Sequence, residues 1–283
     1  MNLIEDESIL EVYLKKKYDV IDPVTIRVKN VEMKMELLRK YSSFPLTLGT
    51  FLGDVFQTDV PDGFTNALRW NSGKTLLFIA QCEILFLPAF YTMLKSKKSF
   101  ENFGGYFLTH NIKSSSAWEK YIIKTLDGQD IVYFTSRSVM VDSKKRKPIT
   151  DFFDRDFSRE KIYTRWSHSL PDRIVKLINL GKPDGITEHT IDDNDIDANN
   201  HTNFMVYIHL TERCIKKLSP ERNQVKKANI SYKGECLLGD VLIANCWKIN
   251  EFYFYFEIVV KDRLVTLGNI EYFNNESSYP SKL

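Results

Sequence analysis

Cysteine is scarce in this chain. Cys82, Cys214, Cys236 and Cys246 are the four in 283 residues. They form no Cys-x-x-Cys pair and fall far short of a disulfide-stapled scaffold, so free thiols are expected. Charge of one sign is also missing. The 39 basic and 37 acidic residues leave a net charge of +2, a field too weak to name nucleic acid or an anionic membrane surface as the main partner. The five histidines contain no His-Glu-x-x-His pair, and no metal or other cofactor is expected. The N-terminal MNLIEDESIL carries acids where a secretory signal or transit peptide needs positive charge, so neither is expected there. Its pattern to about Val20 reads as an amphipathic helix. Long apolar runs are limited to Leu76–Leu94. Gln81, Glu83 and Pro88 interrupt that run, so it reads as a buried central helix and no stable membrane span is expected.

What is present lies mainly in the second half. Gly185 to Ile191 reads as extended and is followed by an acid- and amide-rich loop. A helix is expected from about Asn203 to Lys217, where Lys216 and Lys217 suit its C-terminal dipole. Four strand-like runs then follow, Val225–Cys236, Leu238–Ile249, Glu251–Lys261 and Arg263–Phe273. They are rich in β-branched and aromatic residues and separated by short turns. The first half repeats this order less tidily. It has extended stretches at Val24–Asn30 or Leu46–Phe56, and strands near Gly105–Ile112, Ala117–Leu126 and Asp130–Asp142. Phe64-Thr65-Asn66 aligns with His201-Thr202-Asn203, Asn111-Ile112 with Asn229-Ile230, and Ala117-Trp118 with Glu235-Cys236. If the repeat holds, the first copy has lost its polar groups. The charged segment 151–184 reads as a linker with one or two short helices. The expected domains are therefore 1–150, with a degenerate site, and 185–283, with the chemistry.

That chemistry centres on the loop DIDANNHTN. In an extended loop, alternate side chains Asp197, Asn199 and His201 share a side. The helix that follows begins with unpaired N–H groups able to polarise a carbonyl oxygen. An acid or base, an orienting amide, a histidine and a helix N-terminus suit acyl transfer, although Asp and Asn also serve simply as caps and turn formers. Glu235 and Cys236 lie together at a later strand end, from which a sheet could return them to the loop.

The pattern DIDANNHTN followed by YKGEC resembles the active-site signature of the plant-type acyl-acyl carrier protein thioesterases, which carry two hotdog domains in one chain. Thr135–Ile149 is similar to the last strand of their first hotdog. The resemblance implies an α+β tandem double hotdog, each half an antiparallel sheet wrapped around a central helix. It also implies hydrolysis of a fatty acyl thioester, with Asp197, Asn199, His201, Glu235 and Cys236 as the catalytic set. Asn203 matches only imperfectly and is left out. Two schemes remain open. Cys236 could be the nucleophile with His201 as its base, or Asp197 could drive the carbonyl chemistry while Glu235 handles water. A buried structural role for Cys236 also stays open.

Other patterns are weaker. Asn71–Thr75 ends like a phosphate loop but has Leu68 in place of the required glycine. Asp193, Asp195 and Asp197 alternate like a calcium loop that lacks its glycine and its closing Glu. His209 is expected at a solvated or core-edge position. The run Lys144-Lys145-Arg146-Lys147 is read as a solvated turn ahead of a coenzyme A clamp or a nuclear signal. Ser281-Lys282-Leu283 reads as a peroxisomal address. With it come a peroxisomal location, the peroxisomal import receptor as a partner, and acyl-coenzyme A ahead of an acyl carrier protein as substrate. Assembly into a homodimer is left open. The alternatives to hydrolysis are a non-catalytic acyl-binding hotdog protein and an enoyl-thioester hydratase.

Overall fold

The computed structural model describes residues 17–22, 25–31, 46–47, 75–95, 103–110, 115–125, 127–149, 170–196 and 201–274. Eleven strands form one sheet. In chain order they are β1 (Lys17–Asp22), β2 (Thr25–Val31), β3 (Thr75–Phe86), β4 (Phe103–His110), β5 (Ser116–Lys124) and β6 (Asp130–Asp142). The second half supplies β7 (Gly185–Thr190), β8 (Val225–Tyr232), β9 (Val241–Lys248), β10 (Tyr253–Val260) and β11 (Arg263–Tyr272). Among the described residues, α1 (Pro88–Lys95) and α2 (Phe204–Leu218) are the α-helices of two turns or more.

The second half forms as its residue pattern dictates. β10, YFYFEIVV, is aromatic and β-branched throughout and almost wholly buried. It lies between β11 and β9, and every strand pairing in the sheet is antiparallel. α2 starts at Asn203, whose side-chain oxygen accepts from Met205 N at 2.9 Å, and ends with Lys216 and Lys217 in its last turn. Its buried residues include Val206, Tyr207, Ile208, Leu210, Cys214 and Ile215, a stripe that packs on β7, β9 and β10. This is one hotdog unit, a sheet curled on a single long helix.

Strand order exposes the internal symmetry. Across the sheet it runs β1-β2-β4-β5-β6-β3-β8-β11-β10-β9-β7. Apart from β1, the halves mirror each other: β3 corresponds to β8, β4 to β9, β5 to β10 and β6 to β11. They meet where β3 pairs with β8, with Glu83 opposite Asn229. This seam overturns the alignment expected from sequence. Asn111 follows β4, the counterpart of β9, so it cannot match Asn229 on β8. Ala117 and Trp118 lie on β5, the counterpart of β10, and do not match Glu235-Cys236. Only eight residues separate Asn66 from Thr75, too few for a helix as long as α2, so Phe64-Thr65-Asn66 is not the counterpart of His201-Thr202-Asn203. Residues 64–66 themselves lie outside the described set.

Three further expectations change. Leu76–Leu94 is not one buried helix. Its first part is β3, at the centre of the sheet, and Leu87 then leads into the eight-residue α1. A strand covered on both faces is apolar without alternation, and a short apolar run of this kind reads equally well as a buried helix. Pro88 opens α1, where its fixed φ and missing N–H cost nothing. Lys17–Val20 belongs to strand β1, not to an N-terminal helix, and Leu46 and Thr47 are helical, not extended. Among the described residues no helix is long and apolar enough to cross a membrane.

The described part of the linker, 170–184, contains no helix and runs as a strap over the sheet face opposite α2. Asp172 O accepts from Gln81 Nε2 at 2.9 Å and Asn229 Nδ2 at 3.2 Å, which ties the strap to both sides of the seam. Ile174 packs on Tyr255 and Leu267. Lys248 N donates to Asp184 Oδ2 at 2.8 Å.

Candidate active site

His201 owes its position to its neighbours. Thr202 is buried and donates to Cys236 O twice, from its backbone N at 3.2 Å and its hydroxyl at 2.8 Å. Asn203 N donates to Asp195 O at 2.7 Å, and Ile196 bridges Thr202. Asp195 is fixed in turn by His189 Nε2 at 2.6 Å and Asp192 N at 3.1 Å. The loop is thereby tied to the strand end that follows β8, across 34 residues of sequence. Asp197 and Asn199 lie outside the described residues, between Ile196 and His201.

His201, Glu235 and Cys236 line one cavity of about 360 Å³ between the two halves. The second half contributes the start of α2 and the end of β8. The first half contributes Phe78, Ile79 and Ala80 of β3, Val139 and Val141 of β6, and Arg146. The imidazole of His201 packs on the Phe78 ring with centroids 4.5 Å apart. The Arg146 guanidinium sits 5.3 Å above the same ring. It also forms a close ion pair with the Glu235 carboxylate, and its Nε donates to Glu235 Oε2 at 3.3 Å. A cation from the first half therefore fixes the carboxylate of the second.

Cys236 is fully buried. Burial pushes its thiol upward, partly offset by a hydrogen bond with the Tyr207 hydroxyl. A thiol raised in this way is a poor thiolate source. Burial and Cys236 together push the Tyr207 hydroxyl up as well. The helix N-terminus is more heavily committed than its sequence suggests. Met205 N is capped by the Asn203 side chain, Val206 N donates to Asn203 O at 3.0 Å, and Asn203 N donates to Asp195 O. Asn203 is thus a capping residue. An oxyanion here draws on the helix dipole more than on a row of free donors.

Sequence reasoning missed Phe78, Thr202, Tyr207 and above all Arg146. Lys144, Lys145 and Lys147 are exposed, as expected of a solvated turn, but Arg146 is half buried. Its φ of +53° and the bond from its N to Asp142 O at 2.9 Å set it apart from the lysines. No local signal marks it, because its partner is 89 residues away. His209 is at the core edge, where burial pushes its imidazole down to about 4. Among the described residues no three His, Cys, Asp or Glu side chains converge to hold a metal ion.

Residues 183–273 match the family model of the acyl-ACP thioesterase C-terminal domain. This segment contains the whole loop, α2 and all of β8–β11. The match spans about a third of the chain. Solved structures extend the likeness to the fold of both halves. A 12:0-ACP thioesterase from Umbellularia californica superposes with a TM-score of 0.65 at 14% identity, covering 88% of this chain and 94% of that one. An acyl-ACP thioesterase from Bacteroides thetaiotaomicron gives 0.57 at 18% identity, covering 86% and 90%. A MaoC-like dehydratase from Phytophthora capsici gives 0.50 at 13% identity, covering 78% and 75%, so the fold alone does not select the reaction. No curated protein sequence matches the chain.

Proposed function

We propose that the chain is a thioester hydrolase that cleaves fatty acyl thioesters to a free acid and a thiol. The observation that carries this reading is the cavity shared by His201, Glu235 and Cys236, three residues that all lie in the segment matched to the thioesterase family model. Apolar side chains of both halves line the cavity, which suits an acyl group. Its polar groups sit at the end formed by the loop and the β8 strand end.

Of the two schemes, the buried and raised Cys236 thiol favours the one without a cysteine nucleophile. Asp197, with Asn199 and His201, acts at the thioester carbonyl, while Glu235, held by Arg146, activates water. Cys236 then serves the site through its carbonyl, which holds Thr202, and through its contact with Tyr207. The preferred donor in this proposal is acyl-coenzyme A. That preference rests on Ser281-Lys282-Leu283 acting as a peroxisomal address; the tripeptide lies outside the described residues. Loss of peroxisomal targeting when Leu283 is removed from a fluorescent fusion would support the address.

The test of the reaction is incubation of the full chain with acyl-coenzyme A and acyl carrier protein thioesters of graded chain length, following free thiol. Thiol release is expected, and His201→Ala is expected to lower it by about 10²–10⁴-fold, the usual contribution of a positioned acid–base group. Binding without thiol release at any chain length would point to an acyl-binding protein. A change in enoyl absorbance without thiol would point to a hydratase.

A further inference from the structure

The place of the His201 imidazole on Phe78 is set by the chain on either side of it. On one side Thr202 is bonded to Cys236 O from both its N and its hydroxyl. An anchor at one end fixes a point and leaves rotation about it. The other anchor is Asp195. Its backbone O accepts from Asn203 N at 2.7 Å, and the next residue, Ile196, bridges Thr202. The chain therefore leaves for His201 and returns from it through one neck, and whatever holds Asp195 holds that neck.

The side chain that holds Asp195 from outside the loop is His189, on the edge strand β7. Its Nε2 lies 2.6 Å from Asp195 Oδ2. Within the short 3₁₀ turn Asp193–Asp195 the bonds are local: Asp195 Oδ2 also accepts from Asp192 N at 3.1 Å, and the Asp192 carboxylate accepts from Asn194 N at 2.9 Å. This reciprocal cap shapes the turn but does not fix it to the sheet. Backbone bonds carry the strand as far as Ile191, which is tied to Gly239 and Asp240. Past that point the His189 bond spans the turn and reaches its last residue. β7 supplies a firm base, since it is paired along its length with β9, with His189 opposite Leu242. The Asp195 side chain is 9% exposed and that of His189 27%, so the pair is sheltered from the solvent that makes surface ion pairs weak. A bond to a carboxylate in such a place is strong, and its loss leaves a nearly buried acceptor short of a partner.

We propose that His189 is a positioning residue for the reaction: by holding Asp195 it fixes the second end of the loop, and with it the His201 imidazole against Phe78 and beside the Glu235–Cys236 strand end. Neither His189 nor Asp195 lines the cavity, so both act through His201 and not on the substrate. The consequence for catalysis rests on the hydrolase reading; the consequence for where His201 sits does not.

Two measurements on the full chain test this. The first is the NMR shift of the His201 ring protons, which the neighbouring Phe78 ring displaces from that of a free histidine and which His201→Ala identifies by their loss. His189→Leu removes the donor and is expected to move these protons toward the free value. His189→Gln, whose terminal amide can donate to Asp195 from near the place of Nε2, is expected to leave them where they are. The second is steady-state thiol release from the thioesters named above. His189→Leu should lower kcat about ten- to hundred-fold, the scale of a displacement of about 1 Å, with KM within about three-fold because the cavity wall is untouched. His189→Gln should keep kcat within about three-fold of that of the unaltered chain. If His189→Leu does not fold, His189→Asn, whose amide ends short of Asp195, takes its place with the same expectations. A folded His189→Leu with a lowered thermal midpoint but unmoved ring protons and unchanged kcat overturns the proposal, because His189 would then be structural alone. A loss in His189→Gln as deep as in His189→Leu also overturns it, since the donor would not be what matters. Ring protons that move as expected in a chain without thiol release defeat the hydrolase reading alone; thiol release with unmoved ring protons defeats the positioning role alone.

Discussion

At the scale of single residues, Cys236 and Arg146 exchange the importance their sequence neighbourhoods suggest. Cys236 stands beside Glu235 in a motif that invites a nucleophile, yet its thiol is buried, raised and bonded to Tyr207. Cys236→Ser keeps the carbonyl that holds Thr202, and thiol release is expected to stay within about ten-fold of that of the unaltered chain; a nucleophile would lose far more. Loss of all activity in a folded Cys236→Ser would restore the cysteine scheme. Arg146, drawn from a run of lysines, pairs with the Glu235 carboxylate and fixes its position. Arg146→Gln removes the group that holds this carboxylate, and thiol release is expected to fall by about 10²-fold or more. Arg146→Lys keeps the charge without the planar fork and is expected to lose less. Unchanged thiol release in a folded Arg146→Gln would show that Arg146 only supports the cavity wall.

At the scale of elements, a close backbone approach between paired strands falls on β11. A Cβ at Gly268 would come within 2.4 Å of Asn229 O and 2.7 Å of the Phe256 ring. The first is backbone of the paired strand and cannot move aside without breaking the ladder that joins β11 to β8. Gly268→Ala is therefore expected to lower the thermal midpoint by several degrees, corresponding to about 1–3 kcal/mol of overpacking. A midpoint within one degree of the unaltered chain would show that the two strands separate more freely than their pairing implies. Elements also differ in how openly their sequences announce them. β8 to β11 and α2 follow from periodicity, caps and turn residues, because one face of each is buried and the pattern records it. β3 carries no such record, since apolar residues such as Ile79 and Leu85 also fill its partly covered positions.

At the scale of the whole molecule, the halves are joined by more than the β3–β8 ladder. Tyr91 OH donates to Val225 O at 2.6 Å. Glu212, buried in α2, accepts from Leu46 N at 2.9 Å, Thr47 N at 3.0 Å and the Thr47 hydroxyl at 2.6 Å. Burial outweighs these bonds and pushes the carboxyl from its ordinary 4.5 up to about 7. With the folded value raised above the unfolded one, the contribution to stability is fully present below about 4.5 and is lost as pH rises through about 7. Urea unfolding at a series of pH values between 5 and 8 should show a decline on the order of 2 kcal/mol across that window. Glu212→Gln cannot ionise, so it should flatten the decline while lowering stability at pH 5 through the lost acceptor at Thr47. Parallel curves for the two proteins would remove Glu212 as the source.

The sequence by itself determined the second hotdog unit, from β7 to β11, and the loop that caps α2, because these depend on local periodicity, turn chemistry and capping within a few residues. It also pointed to His201, Glu235 and Cys236, and the fold places all three along one cavity. Only the tertiary structure decided that residues 75–86 are a central strand, that the halves correspond through β3 and β8, and that Arg146 reaches Glu235. Each of these depends on contacts between distant segments. Which face of a strand is covered, and which charge meets which, is fixed only when the whole sheet has closed.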